Sequence, residues 1–416
     1  MPLRIAHISN EAFGLETASG VQQAVYCLAR AQADVGQAVA VFSRDDDAIN
    51  VLADDPGNVL ADAAESTSDR PSPVVPASRI SFRQWLLSRH FEQTLARDVL
   101  AWRPDIVHFH SVHIPENIAL APHLGAAGIA YCVTVHGALF RAALRRGWLK
   151  KTLFNVVFER RYLNEARFIH ALSPGESESI RRHGVNRPIV VVPNGLPPDS
   201  HVLALRPDAL YAENPQLRDQ RVFMFVGRLD PWHKGLDVLV DAFAAARLAE
   251  ASLVLVGPDW RGSRRALAKR AEQLGISSRV VFIEAAFGQK RVDLFAAADI
   301  FVHPSRWEGL SLSVLAAAAA GKACLITREA DPLGEFERAQ AAVVVEPSVS
   351  SIAEGLRRAG ALTRQELDTI GARARRVAET HFSWPSIAAR LVEAYRLGLA
   401  PQEACGTLAS APRVLR

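Results

Sequence analysis

Two cations stand close together in Gly227-Arg228-Leu229-Asp230-Pro231-Trp232-His233-Lys234-Gly235, directly after the apolar run RVFMFV. A guanidinium and an ammonium fixed on one loop, with glycines that let backbone approach, suit a diphosphate. The same residues also fit a solvated basic turn. The spacing is not that of a Walker loop, so a P-loop is excluded. A second candidate is Glu308, in DIFVHPSRWEGLSLSVLAAAAAGK. It precedes a helix expected from about Leu310, which Ser311 and Ser313 can cap. Backbone N–H groups of Gly309, Leu310 and Ser311 would then favour an anion or a sugar hydroxyl, and Glu308 would accept hydrogen bonds from hydroxyls. An acid at a helix start is also favourable by itself, by up to about 1 kcal/mol.

His136 follows the run AYCVTV. A histidine at a strand end can hydrogen-bond a substrate or polarise a leaving group. His7, His108, His110 and His170 also lie on strand-like runs, so residue type alone does not single out His136, and taken alone a structural role fits it better. Gly20 sits in a small-residue loop before the helical stretch VQQAVYCLARAQADVG, where phosphate or sugar could approach. The loop is not G-x-G-x-x-G, so a nicotinamide dinucleotide fingerprint is absent. Between Arg141 and Arg161 seven Lys/Arg face one acid, Glu159, and Leu149, Leu153, Val156 and Val157 recur at helix spacing. Such a segment suits an anionic membrane surface or a solvated helix face. No nucleic-acid-binding motif accompanies the charge. Asp45-Asp46-Asp47 has no further ligand at useful spacing and reads as a solvated loop.

These residues need strands to place them, and short apolar runs alternate with helical segments throughout. The first half carries RIAHIS, AVAVFS, DIVHFH, AYCVTVHG, RFIHALS and IVVVPNG; the second carries RVFMFVG, ASLVLVG, RVVFIEA, DIFVHPS, ACLIT and AAVVVEP. Continuous apolar strands separated by helices indicate parallel sheets covered on both faces. The expectation is α/β, with two doubly wound Rossmann-like domains facing across a cleft. The first domain is assigned to 1–196, with an irregular insertion at about 44–79; the second to 197–380; and 381–416 to a final helix and tail. The 416 residues suffice for such a pair, and 49% hydrophobic with 22% charged residues is ordinary globular usage. A net charge of +4 permits an anionic ligand. Four scattered cysteines without a C-x-x-C pair read as buried apolar residues in a reducing compartment. The start has no signal-peptide core, and Leu312 to Ala320 is shorter than the roughly 20 residues that span a bilayer. A cytoplasmic protein is expected, with 141–161 either touching the inner membrane face or serving as a solvated face.

Taken together the motifs resemble the family 4 glycosyltransferases, retaining nucleotide-sugar enzymes of the GT-B fold. GRLDPWHKG, SLVLVGP, RVVF, AAADIFVHPSRWEGLSLSVLAAAAAGK and VVVPNG carry the likeness, and ETHFSW is similar to the segment that leads a final helix back to the first domain. VTVHGALF and ALSPGESESI are similar to enzymes of exopolysaccharide or lipopolysaccharide assembly. The resemblance implies that Arg228 and Lys234 neutralise the donor diphosphate, with Gly227 in the same loop. It implies that Glu308 and the N–H groups of Gly309 to Ser311 hold sugar and phosphate. His136 would contact the transferred sugar, and Gly20 would approach donor phosphate and acceptor. A front-face reaction, no metal, no cofactor, and a glycan or lipid-linked acceptor are further implications.

The departure is Ala316, where the family's E-x7-E motif has its second, ribose-binding acid. Alanine cannot accept those bonds, worth about 1.5–3 kcal/mol each. Glu284, where many relatives have glycine, is the expected replacement. Ala316 also motivates another reading, a non-catalytic partner or binding subunit that keeps the fold. A phosphorylase of similar architecture would need a pyridoxal-phosphate lysine, and no lysine context recommends one.

Overall fold

The structure, a computed structural model, describes residues 1–9, 20–43, 49–53, 89–145, 154, 158–196 and 208–400. Two sheets organise it. The first runs β1 (Arg4–Ser9), β2 (Ala38–Ser43), β3 (Ile49–Ala53), β4 (Ile106–His110), β5 (Ala130–Thr134), β6 (Phe168–Ala171) and β7 (Ile189–Val191). Its spatial order is β3-β2-β1-β4-β5-β6-β7, all parallel except β3, which runs antiparallel to β2. The second comprises β8 (Arg221–Val226), β9 (Ala251–Val256), β10 (Val280–Ile283), β11 (Ile300–His303), β12 (Ala323–Thr327) and β13 (Ala342–Val345). Its order is β10-β9-β8-β11-β12-β13, and every pairing is parallel.

Each sheet reverses its winding beside its first strand, at β1/β4 and at β8/β11. Ligands in such sheets bind beyond the carboxyl ends at that reversal. The strands expected from sequence all appear, and β3 is an addition. INVLA lies inside the stretch read as an irregular insertion, yet it pairs on the sheet edge through β2. An antiparallel edge strand needs a backbone ladder on one side only, so its sequence need not be a continuous apolar run. The remainder of 44–79, with Asp45 to Asp47, lies outside the described residues.

Both faces of the sheets are covered, as the apolar strands require. All six residues of β9 are buried. Phe225, Leu253 and Leu255 pack on one face of the second sheet, and Met224, Val254 and Val256 on the other. The last described helix, Trp384–Leu399, packs on the first sheet. Ile387, Leu391 and Tyr395 recur at helical spacing and bury against Ile5, Leu28, Phe168 and Val190. Full burial of side chains of this size is worth about 1.5–3 kcal/mol each. The preceding helix, Arg364–His381, ends at Phe382, whose carbonyl accepts from the N–H of Leu196 at 2.8 Å. Pro385 occupies the first turn of the last helix, where a missing N–H costs little.

Candidate active site

The loop after β8 is one helical turn, Pro231–Lys234. Asp230 caps it by accepting from the His233 N–H at 3.1 Å, and Pro231 opens it. Gly235 ends it at φ 66°. Any side chain there would also collide with the Pro304 carbonyl, because a Cβ would lie 2.1 Å from its oxygen. D-P-x-x-K-G therefore clamps Lys234 against the loop after β11. Arg228 sits just before this turn, its guanidinium stacked 4.2 Å over the Trp260 ring and 3.9 Å from Asp230. His233 stacks on Trp307 at 4.4 Å, and its Nε2 lies 3.0 Å from the Trp307 carbonyl.

Glu308 is buried in the loop between β11 and the helix Leu312–Ala319. Its Oε1 accepts from Lys234 Nζ at 2.5 Å, Ser305 Oγ at 2.7 Å and His303 Nε2 at 3.0 Å. Oε2 lies 3.9 Å from His233 Nε2, and no hydrogen bond to it is found among the described residues. Burial works against the charge on Glu308, but Lys234, His303 and His233 together outweigh it and hold the carboxyl well below its usual range. The group is thus an ionised acceptor with one oxygen left for a ligand. Burial keeps His233 neutral, lowering it to about 4. Ser311 caps the following helix through the Val314 N–H at 3.4 Å, so the helix starts at Leu312 rather than Leu310. The N–H groups of Gly309 to Ser311 precede its first turn.

From the first sheet, His136 and Gly137 follow β5 in left-handed conformations, at φ 51° and 76°. Burial lowers His136 to about 3, with His170 adding to the effect. Gly137 donates its N–H to Glu176 Oε1, and the Leu172 N–H donates to Glu176 Oε2 at 2.5 Å. Burial raises Glu176 to about 7. Gly137 and Gly309 face each other across the seam: a Cβ on Gly137 would lie 3.5 Å from the Gly309 nitrogen. A Cβ on Gly309 would meet Leu172 at 3.1 Å. The lack of side chains at Gly137 and Gly309 lets the loops of the two halves approach this closely.

These elements enclose a cavity of about 300 Å³. Gly20, His136, Gly227, Arg228, Lys234, Glu308, Gly309, Leu310 and Ser311 all line it, so both sheets contribute. Glu284 does not. Its side chain is exposed and ion-paired with Arg264 outside the cavity, which corrects the expectation that it replaces the missing acid. Ala285 and Ala286 face inward in its place. Ala316 lies buried, one helical turn beyond Leu312 and Ser313, which line the cavity. Sequence reasoning missed Arg291 and Gln23, which line the cavity from opposite halves and meet at 3.2 Å. Only the helical register of each could have pointed to them. The basic segment is described in part: Arg141–Arg145 is a short helix, while 146–153 and 155–157 lie outside the described residues.

Among the described residues one group could hold a metal, namely His7, His108 and His110, whose ligating atoms lie within 4.8 Å. It is buried behind the cavity. No helix among the described residues is long and apolar enough to cross a membrane.

Residues 19–195 match the model of the glycosyl transferase 4-like domain, and residues 220–360 that of group 1 glycosyl transferases. The D-inositol 3-phosphate glycosyltransferase of Mycolicibacterium smegmatis is 30% identical over 222 residues, 52% of this chain and 50% of that protein. The enzyme of the same name from Nocardia farcinica is 29% identical over 285 residues, 63% of this chain and 59% of its own. The match thus spans little more than half the length of these relatives. Among solved structures, sucrose-phosphate synthase from Thermosynechococcus elongatus superimposes with a TM-score of 0.74 at 19% identity, covering 95% of this chain and 98% of its own. HepE of Anabaena, solved with UDP and glucose, gives 0.68 at 16% identity, covering 95% and 99%. WaaG, a glycosyltransferase involved in lipopolysaccharide biosynthesis, gives 0.66 at 18% identity, covering 93% and 99%. At these identities the likeness is one of fold.

Proposed function

Because the chain belongs to the family 4 glycosyltransferases of the GT-B fold, we propose that it moves a sugar from a nucleoside-diphosphate sugar to a hydroxyl acceptor with retention of configuration. The observation that carries this reading is the convergence of Arg228, Lys234, Glu308 and His136 from both sheets on one cavity. Negative charge grows on the departing diphosphate, and the two cations are already in place to stabilise it. Ionised Glu308 accepts hydrogen bonds from sugar hydroxyls through Oε2. The N–H groups of Gly309 to Ser311 hold sugar or phosphate oxygens, and His136 contacts the transferred sugar. Gly20 lets donor phosphate and acceptor come close to the helix Gly20–Asp34. The leaving phosphate takes the acceptor proton, so no separate base is needed, and in this reading Arg228 and Lys234 carry the diphosphate charge without a metal or cofactor. A relative named for an inositol phosphate and a neighbour solved with UDP and glucose are consistent with this donor and acceptor chemistry.

The acceptor is a growing surface glycan or a glycolipid, and the protein works in the cytoplasm. The basic segment 141–161 rests on the anionic inner face of the membrane as a peripheral contact. The test is a screen of nucleotide sugars by mass spectrometry against a lipid-linked acceptor extract. Transfer from one donor, with thermal stabilisation by its nucleoside diphosphate, is expected. No transfer, together with no stabilisation by any nucleoside diphosphate, overturns the reading. Charge reversal at Arg145, Arg146, Lys150 and Lys151 should abolish binding to anionic liposomes; persistent binding would remove the membrane contact.

A further inference from the structure

Behind His136 lies a set of buried polar side chains that the proposed reaction does not use. Register places them on one face of the first sheet: His7 aligns with His108, His110 with Thr134, and Thr134 with His170. His108 and His110, two residues apart, share that face. The helices Gly20–Asp34 and Trp384–Leu399 add Gln32 and Tyr395. All are nearly or wholly inaccessible to solvent. Burial holds His7 and His170 at about 4, and His108 and His110 well below their usual range, so each ring is neutral with one proton.

The positions of those protons follow from one end. His170 Nε2 is 2.7 Å from the Val192 carbonyl, which can only accept, so Nε2 carries hydrogen and Nδ1 accepts. Thr134 Oγ1, 2.7 Å away, spends its one proton on that Nδ1. His108 Nε2, 2.5 Å from the same hydroxyl, must therefore donate. His108 Nδ1 then accepts from the Tyr395 hydroxyl at 2.7 Å. That hydroxyl has no second proton, so it accepts from Gln32 Nε2 at 3.0 Å. The amide orientation this requires turns Gln32 Oε1 to His7 Nε2, 2.7 Å away. His7 donates there and accepts at Nδ1 from His110 Nε2 at 2.9 Å. His110 Nδ1 in turn accepts from His136 Nε2 at 3.1 Å.

We propose that this one-directional chain, anchored on the Val192 carbonyl, fixes His136 as its Nε2–H tautomer and leaves Nδ1 as a lone pair for a hydroxyl of the transferred sugar. Gln32 and Tyr395 are positioning residues for His136. The sugar contact rests on the cavity being the donor site; the tautomer does not. The chain also accounts for the trio of His7, His108 and His110 without a metal, since both ring nitrogens of each are already hydrogen-bonded.

The tautomer can be read in the ligand-free protein labelled with 15N-histidine, with His136→Gln used for assignment. His136 should show a pyrrole-like Nε2 and a pyridine-like Nδ1. Tyr395→Phe keeps the packing but removes the link that orients Gln32, so both tautomers should appear. With a donor, kcat/KM should then fall by up to about tenfold while nucleoside diphosphate affinity is unchanged. Gln32→Met removes the acceptor that holds the His7 proton on Nε2 and should likewise let both tautomers appear. Protonation of His136 on Nδ1, an unmixed signal in Tyr395→Phe, or zinc retained by the purified protein through chelation would overturn the inference. The expected tautomer in a protein that binds no nucleoside diphosphate would leave the chain standing and remove the transferase reading.

Discussion

Replacing Glu308 by glutamine separates the two jobs assigned to its carboxylate. Three donors converge on Oε1, one of them the ammonium of Lys234. Hydrogen bonds to a charged group are worth about 1.5–3 kcal/mol each, and removing one partner of a buried ion pair costs about 3–5 kcal/mol. Glutamine keeps an acceptor oxygen and the side-chain shape, so Glu308→Gln should lose about 3 kcal/mol of stability. Lys234→Met strands the carboxylate with His303 and Ser305 and should lose a similar amount. If the geometry is right, the double variant loses about 3 kcal/mol, not about 6 kcal/mol, because the pair is removed whole. Urea denaturation followed by tryptophan fluorescence measures all three. Single costs that sum to within about 0.5 kcal/mol of the double would refute the coupling. The ligand side has the opposite sign: Glu308→Gln frees Lys234 of its internal counter-charge, so nucleoside diphosphate should bind at least as tightly. Sugar transfer should still fall by about a hundredfold or more, because the charged hydroxyl acceptor is gone.

Ala316→Glu should raise nucleoside diphosphate affinity by about tenfold in calorimetric titration, since its position one turn beyond Leu312 and Ser313 lets a longer side chain reach the cavity. Its price is about 1–3 kcal/mol of stability from overpacking. Arg228→Lys loses the planar stack on Trp260 and should weaken nucleoside diphosphate binding by up to about tenfold in the same assay. Acid should destabilise the fold. His7, His136 and His170, depressed from 6.5 to about 4, 3 and 4, contribute stability above pH 6.5 that is lost as pH falls through those values. Glu159 and Glu176, raised to about 7, contribute most below pH 4.5 and lose it as pH rises through 7. The histidines outnumber them, so calorimetry should show the melting temperature falling from pH 6.5 to 4 with net proton uptake; a rise would refute this balance.

Much of the framework was legible because parallel strands buried on both faces print as unbroken apolar runs, and because reactive groups sit just past their ends. The lysine loop shows the limit of that reading. Its capping aspartate, opening proline and closing glycine spell a helical turn, whereas the cations and glycines by themselves say only that a loop is there. Glu284 was misplaced for a different reason. Its place after β10 is correct, but a strand end does not say which way the next side chain turns, and Arg264, twenty residues earlier, captures it. The histidine chain was hidden because it depends on register between strands and on Tyr395, which enters from the far end of the chain. Ala316 was legible as a departure, though only packing shows that it is buried beside the cavity and not in it.

The helix Trp384–Leu399 has a consequence for the order in which the molecule can be made. Its Ile387, Leu391 and Tyr395 complete the core around Ile5, Leu28 and Phe168, which leave the ribosome hundreds of residues earlier. The face of the first sheet that carries Ile5, Leu28 and Phe168 therefore stays uncovered until the helix Trp384–Leu399 has emerged. The second half, whose strands lie between Arg221 and Val345, has no such debt to a later segment of the other half. A truncation before Tyr395 therefore bares this face of the first half even though every strand of that half has been made.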